Sequence, residues 1–280
     1  MDEFRYKITW RARSHLPGAH RSTQMGSGFE FVGHKTLIDG ADPRRLDIRA
    51  SIRDPFEQWQ ARVFSQRSAI PVVVIADLSA SMTFQGKHDK WVNVCDFART
   101  AAWSTTRNGD LFSFIACDDQ VREDLFLPAT LRKSAVLDLQ DRLALVRPAP
   151  RSSAKGLLEA HRWLPQRRSL VFLVSDFHLP LEMIETLLDS LRAHDVIPVV
   201  LWDPIENQVP QGRGLLRLQD SETGRHRLIW LRPSVHDRWE QALLEHQQAL
   251  SRLFAAHGRP PLMIENAFNA DEITHYFHAA

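Results

Sequence analysis

The chain has few of the devices that would let a protein fold by covalent staples or act through its net charge. Only two cysteines, Cys95 and Cys117, stand among 280 residues, and both lie in apolar surroundings. That excludes a disulfide framework and suits a reducing compartment, with both thiols as small core residues. Lys and Arg number 35 against 34 Asp and Glu, so no one-signed field draws the chain to nucleic acid or to an anionic membrane. Long apolar runs are missing too. The longest, around 72–76 and 170–174, fall far below the ~20 residues of a membrane helix. The start, Met1-Asp2-Glu3-Phe4-Arg5-Tyr6-Lys7, has no apolar stretch of the secretory kind. The expectation is a cytoplasmic protein without direct membrane insertion. Three catalytic signatures are absent as well: Gly-x-x-x-x-Gly-Lys-Ser/Thr, Gly-x-Ser-x-Gly and His-Glu-x-x-His. Gly26-Ser27-Gly28 lacks the third glycine of a dinucleotide fingerprint and reads as a tight turn.

What is present is enough apolar residue, 44%, to build a large core. Residues 1–70 carry 12 Lys and Arg against 8 Asp and Glu, with turn formers at Pro17-Gly18, Asp39-Gly40 and Asp42-Pro43. Short alternating stretches at 6–10 and 59–63 read as small strands. A small β-rich N-terminal subdomain is expected over 1–70. Arg44, Arg45, Arg49 and Arg53 read as a solvated face or as partners of Asp42, Asp47 and Asp54, not as a nucleic-acid surface.

From 71 to 280 strands and helices alternate. Buried strands are expected at 71–77, 110–117, 169–175 and 196–202, with a hairpin partner at 121–127 turned by Asp118-Asp119. Helices are expected at 90–107, 131–145, 154–164, 181–193 and 234–257. A hairpin, 214–218 with 226–231 around Glu222-Thr223-Gly224, a short strand at 262–265 and a helix at 271–278 complete the set. Trp91, Trp103 and Trp163 read as core residues. This alternation predicts an α/β fold, a doubly wound and mostly parallel sheet. Such sheets bind ligands beyond the carboxyl ends of their strands, where strand order reverses. Two strands deliver an acid there, Asp77 and Asp176. His178, two residues after Asp176, reads as a rim histidine rather than a ligand.

The segment Asp77-Leu78-Ser79-Ala80-Ser81-Met82 places a carboxylate and two hydroxyls on alternate positions after a buried strand. All-oxygen donors of this kind suit a hard divalent cation, Mg²⁺ or else Mn²⁺ or Ca²⁺. The competing reading is that these side chains only cap the following helix.

The spacing resembles the metal-ion-dependent adhesion site of von Willebrand factor A domains: Asp-x-Ser-x-Ser, a Thr from a later loop, and an Asp after the fourth strand. Asp77, Ser79 and Ser81 match the first part and Asp176 the last. In Arg151-Ser152-Ser153-Ala154-Lys155-Gly156, Ser153 is the better match to the Thr and Ser152 the second. The chain is also similar, over most of its length, to a bacterial family of unknown function encoded beside MoxR-type AAA+ ATPases. The matching pieces are Gly26-Ser27-Gly28-Phe29-Glu30-Phe31, Gly40-Ala41-Asp42-Pro43-Arg44-Arg45-Leu46-Asp47-Ile48, Ala61-Arg62-Val63-Phe64-Ser65-Gln66-Arg67, Trp202-Asp203-Pro204-Ile205-Glu206 and Asp220-Ser221-Glu222-Thr223-Gly224. The resemblance implies a sheet of von Willebrand factor A type and a metal site of Asp77, Ser79, Ser81, Ser153 and Asp176. It implies a non-enzymatic adaptor that works with a MoxR-type AAA+ ATPase on a client protein, a partner Asp or Glu completing the metal shell. The alternative is a Mg²⁺-dependent phosphatase or phosphotransferase with Asp77 as nucleophile. That chemistry wants a second acid two positions on, where this chain has Ser79.

Overall fold

The computed structural model describes residues 3–14, 16–26, 30–84, 86–206, 208, 214–219 and 224–279. The chain divides into two compact units. One is Ile8–Ile70 with Asn108–Asp110; the other comprises Met1–Lys7, Pro71–Arg107 and Leu111–Ala280.

In the smaller unit, β1 (Pro17–Gly26), β2 (Glu30–Thr36), the five-residue helix α1 (Ile48–Ile52) and β3 (Gln60–Ser68) follow one another. The three strands form an antiparallel sheet with β3 in the centre. Its interior is thin. Ala61 is buried, while Ile38, Ile52 and Phe56 are largely exposed. Polar anchors do much of the fixing. Asp47 accepts from the Ala50 N–H and so caps α1. The Arg62 guanidinium at 2.7 Å and the His34 imidazole at 3.1 Å hold the Asp47 carboxyl far below the usual range. The partner of Asp47 is therefore Arg62, not a residue of the basic 44–53 stretch; Arg45 instead lies over the Phe64 ring. Asp110 accepts from the Ile70 N–H and bonds to His20.

The larger unit holds the six-stranded sheet. In chain order its elements are β4 (Pro71–Asp77), α2 (Lys90–Arg107), β5 (Leu111–Cys117), β6 (Leu127–Thr130), α3 (Lys133–Leu145), a 3-10 helix over Lys155–Trp163, β7 (Leu170–Ser175), α4 (Leu181–Ser190) and β8 (Asp195–Leu201). Then come β9 (Gly214–Gln219), β10 (His226–Leu231), α5 (Pro233–Ala256), β11 (Leu262–Ile264) and α6 (Ala270–Ala279). The sheet order is β11-β8-β7-β4-β5-β6, parallel except for the edge strand β6; β9 and β10 pair as a separate antiparallel ribbon.

β4 and β7 are buried at every position, which explains their unbroken β-branched and apolar runs. One face carries Val73, Ile75, Val171 and Leu173 against Leu157, Ile184, Leu187 and Phe254. Toward the other, Phe172 meets Phe97 of α2 edge-to-face at 5.3 Å and Phe277 of α6 at 6.2 Å. Burying each such ring or aliphatic chain contributes roughly 1.5–3 kcal/mol. The sheet is thus covered on both faces by helices, as the alternation of elements predicts.

Four local expectations are corrected. Residues 6–10 form no strand; Phe4 and Tyr6 are buried, and the Phe4 ring packs on Phe97 and Phe172 in the larger unit. The partner of β5 begins at Leu127, because 121–126 turn back through a single bridge, Cys117 to Val121. Residues 155–163 wind as a 3-10 helix rather than an α-helix. Trp103 is 39% exposed and lies at the surface, whereas Trp91 is buried. Residues 27–29 and 220–223, which carry parts of two sequence pieces and a hairpin turn, lie outside the described residues. Both cysteines are free, with Cys117 buried and Cys95 half-buried. Among the described residues no helix is long and apolar enough to cross a membrane.

Candidate functional site

β4 is the first strand of the six-stranded sheet, and the chain lays β5 on one side of it and β7 on the other. Strand order therefore reverses at β4, which makes the carboxyl ends of β4 and β7 the topological switch point. Asp77 closes β4 and Asp176 follows Ser175 at the end of β7. Both acids are almost fully buried.

Their surroundings differ. Asp77 accepts from the Ser79 N–H at 2.8 Å and from the Ser175 hydroxyl at 2.6 Å. Burial and, next, the charge of Asp176 push its carboxyl up to about 6; the serine hydrogen bonds oppose this. At Asp176 burial also pushes upward, but the His178 hydrogen bond and the Lys90 charge win and hold its carboxyl far below the ordinary range. The Lys90 ammonium lies 2.9 Å from Asp176 Oδ2 and 2.7 Å from Glu206 Oε1. His178 Nδ1 lies 3.4 Å from Asp176 Oδ2, its N–H donates to Oδ1, and its ring stacks on Trp202. The imidazole feels burial, which lowers its pKa, yet Asp176 raises it above the ordinary value. Trp202 Nε1 donates to the Asp176 carbonyl. The acids thus divide into a carboxyl that resists ionising and one fixed as an anion by its neighbours.

Asp77, Ser79 and Ser81 come together. The Ser79 and Ser81 hydroxyl oxygens are 3.0 Å apart, and Ser79, at the N-cap of the 3-10 turn over Ala80–Thr83, makes no capping hydrogen bond through its side chain. Adjacent oxygens around an octahedral Mg²⁺ at about 2.1 Å are separated by about 3 Å. The carboxylate and two hydroxyls therefore fit a hard divalent cation. Ser153 is engaged elsewhere: its hydroxyl and N–H both bond to Asp119, at 2.6 and 3.0 Å. Ser152 is the serine of that loop that packs on the first segment. It is buried, its hydroxyl reaches the Leu78 carbonyl at 3.3 Å and the Ala149 carbonyl at 2.7 Å, and its own carbonyl accepts from the Ala80 N–H.

Two backbone outliers flank the site. Arg151, just before Ser152, has φ 66°, and Phe177, just after Asp176, has φ 53°. Left-handed conformations of this kind cost free energy in non-glycine residues and gather where a fold must aim side chains. At Phe177 the Ser175 hydroxyl accepts the N–H and holds the turn.

Sequence reasoning did not find Lys90, Glu206 or the contact of His178. Asp176, His178 and Glu206 bring one ligating atom each to within 4.8 Å of one another. The available signal was Trp202-Asp203-Pro204-Ile205-Glu206, a third acidic loop at a strand's carboxyl end. Lys90 gave none, because a lysine at a helix start looks like any solvated cation.

Comparison with known proteins identifies relatives of the chain. The chain is 41% identical over 101 residues to an uncharacterized protein in the moxR 3′ region of Paracoccus denitrificans, covering 36% of this chain and 96% of that one. It is 24% identical over 264 residues to an uncharacterized protein of Mycobacterium bovis, covering 89% and 78%. Among solved structures it is similar to the conserved hypothetical protein BatB of Bacteroides thetaiotaomicron, with TM-score 0.47, 12% identity and coverage of 75% and 98%. The family described as Protein of unknown function DUF58 matches residues 36–249. With a match over most of its length, the chain belongs to the DUF58 family.

Proposed function

We propose that this protein is a non-enzymatic, protein-binding adaptor of von Willebrand factor A type, working with a MoxR-type AAA+ ATPase on a client protein. In this reading a divalent cation, Mg²⁺ before Mn²⁺ or Ca²⁺, is held by Asp77, Ser79 and Ser81, and a partner Asp or Glu completes its shell. The observation that carries the reading is the meeting of Asp77 with the paired Ser79 and Ser81 hydroxyls at the switch point of the sheet. The MoxR-type partner is supported by the relative named for the moxR 3′ region. When bound, the cation would supply the positive charge that bridges two acidic surfaces. The chain's own residues aim the donors: Ser175 and the Ser79 N–H orient the Asp77 carboxylate, and Ser152 braces the 78–80 segment. Binding rather than phosphoryl transfer is favoured because Ser79 stands where a leaving-group acid is wanted, and a hydroxyl does not ionise near neutral pH.

The test is capture of the MoxR-type ATPase by the full chain, in Mg²⁺ and in chelator. Wild type should capture it in Mg²⁺ and release it in chelator. Asp77→Ala should lose capture in both, while Ser153→Ala keeps it, with circular dichroism as the folding control. Capture that ignores chelator and survives Asp77→Ala would show that the metal bridge is wrong.

A further inference from the structure

We infer that Lys90 is a built-in cation that takes Asp176 out of the divalent-cation site, leaving the metal to Asp77, Ser79 and Ser81 and making it bind firmly only together with the partner's carboxylate. This rests on the metal-bridge reading above and deepens it.

The first ground is how the oxygens of Asp176 are used. A carboxylate offers about four lone-pair sites. At Asp176, Oδ2 meets the Lys90 ammonium at 2.9 Å and His178 Nδ1 at 3.4 Å, and Oδ1 accepts the His178 N–H at 3.2 Å. Asp77, by contrast, is met by neutral donors rather than by an ammonium: its oxygens accept from the Ser79 N–H, the Ser175 hydroxyl and the Ser79 hydroxyl.

The second ground is that the lysine pocket is built, not incidental. The Lys90 side chain is 3% exposed, Asp176 2% and Glu206 13%. Asp89 accepts from the Trp91 and Val92 N–H groups, which fixes Lys90 at the start of α2. Glu206 gives Oε1 to the ammonium and accepts the Asp203 N–H on Oε2. The Asp203 carboxylate accepts from the His88 and Ile205 N–H groups, tying the 203–206 loop to the segment before α2. Gly86 leaves room for that carboxylate, since a Cβ there would lie 2.4 Å from it. Independent contacts thus hold both acids against one ammonium.

The consequence is electrostatic. An ammonium on Asp176 repels a dication seated on the same carboxylate, and inside a protein that repulsion is weakly screened. The metal is left with one carboxylate of this chain. Mg²⁺ dehydrates reluctantly and binds weakly with so little charge. The partner's acid then supplies the second carboxylate, and metal and partner raise each other's affinity by the same factor.

The experiment titrates the full chain with Mg²⁺ alone by calorimetry, and with Mn²⁺ by electron paramagnetic resonance. Wild type should bind in the millimolar range. Lys90→Met should bind at least tenfold tighter, and Lys90→Arg, which keeps the charge, should stay weak. Lys90→Met should also melt lower than wild type in chelator and regain more than wild type does on adding Mg²⁺. Asp176→Asn guards against a variant that fails to fold. It leaves Lys90 paired with Glu206 and should change metal affinity less than threefold. A tenfold loss in Asp176→Asn, or a folded Lys90→Met that binds no tighter than wild type, would overturn the inference. Failure of the underlying reading looks different: Asp77→Ala would then match wild type in metal titration and in partner capture.

Discussion

Replacing Asp77 by Asn should stabilise the metal-free protein at alkaline pH while destroying its cation site. The Asp77 carboxyl is pushed from 3.8 up to about 6, by burial first and by the charge of Asp176 second. A carboxyl whose folded value lies above its unfolded value costs stability once it ionises. The cost is small near pH 4, grows as pH rises to about 6 and is constant above. Two units correspond to about 3 kcal/mol at pH 8. Asn keeps the shape and one acceptor, for the Ser79 N–H, and the Ser175 hydroxyl can turn to accept from the amide. The carboxylate's own hydrogen bonds are already included in the value of about 6, so the gain for the neutral amide is about 3 kcal/mol, or roughly 6–12 °C in melting temperature. The assay is thermal unfolding of wild type and Asp77→Asn in chelator at pH 8.0 and pH 4.5. The variant should melt higher at pH 8.0, and the difference should shrink to about a third of that at pH 4.5. Adding Mg²⁺ at pH 8.0 should raise the melting temperature of wild type and leave Asp77→Asn where it was. A variant that melts lower than wild type at pH 8.0 in chelator would refute the reasoning, because ionised Asp77 would then be stabilising. A gain equal at both pH values would refute it too.

Two structural predictions stand apart from the cation site. Arg259 grips Asp195 with two hydrogen bonds, 2.9 and 2.8 Å, and both side chains are nearly buried. Arg259→Met should cost about 3–5 kcal/mol in urea denaturation by taking both guanidinium hydrogen bonds and the positive charge from a buried carboxylate, and Asp195→Asn added to it should recover a good part. At Gly156 a Cβ would lie 2.5 Å from the Gln120 carbonyl carbon, and the Gly156 N–H donates to the Asp118 carbonyl at 2.8 Å. Gly156→Ala should therefore cost about 1–3 kcal/mol, since backbone rather than a side-chain tip must move. An unchanged denaturation midpoint would show that this loop yields freely.

Local sequence determined a good deal of this protein. Runs of β-branched and apolar residues at 71–77 and 170–175 demand burial on both faces, and they became β4 and β7. Apolar spacing over 90–107 became α2 with those same bounds. The alternation of such elements leaves few topologies besides a doubly wound sheet, and the sheet's geometry puts Asp77 and Asp176 at its working edge. The Asp77, Ser79 and Ser81 cluster was legible because its members lie within five residues, so one turn of backbone arranges them. Marginal elements were not legible: residues 6–10 alternate like a strand, but the larger unit needed Phe4 and Tyr6 as core rings instead. Tertiary structure alone decided the charge partners. Lys90 is separated by 86 residues from Asp176 and by 116 from Glu206, and nothing local marks it as buried. Likewise Ser152 and Ser153 are neighbours of the same chemistry. The left-handed turn at Arg151 and the nearness of Asp119 sent one hydroxyl to the core segment and the other outward. Pairings of this kind carry no periodicity. They exist only once the sheet has closed and burial has made each charge find an opposite one.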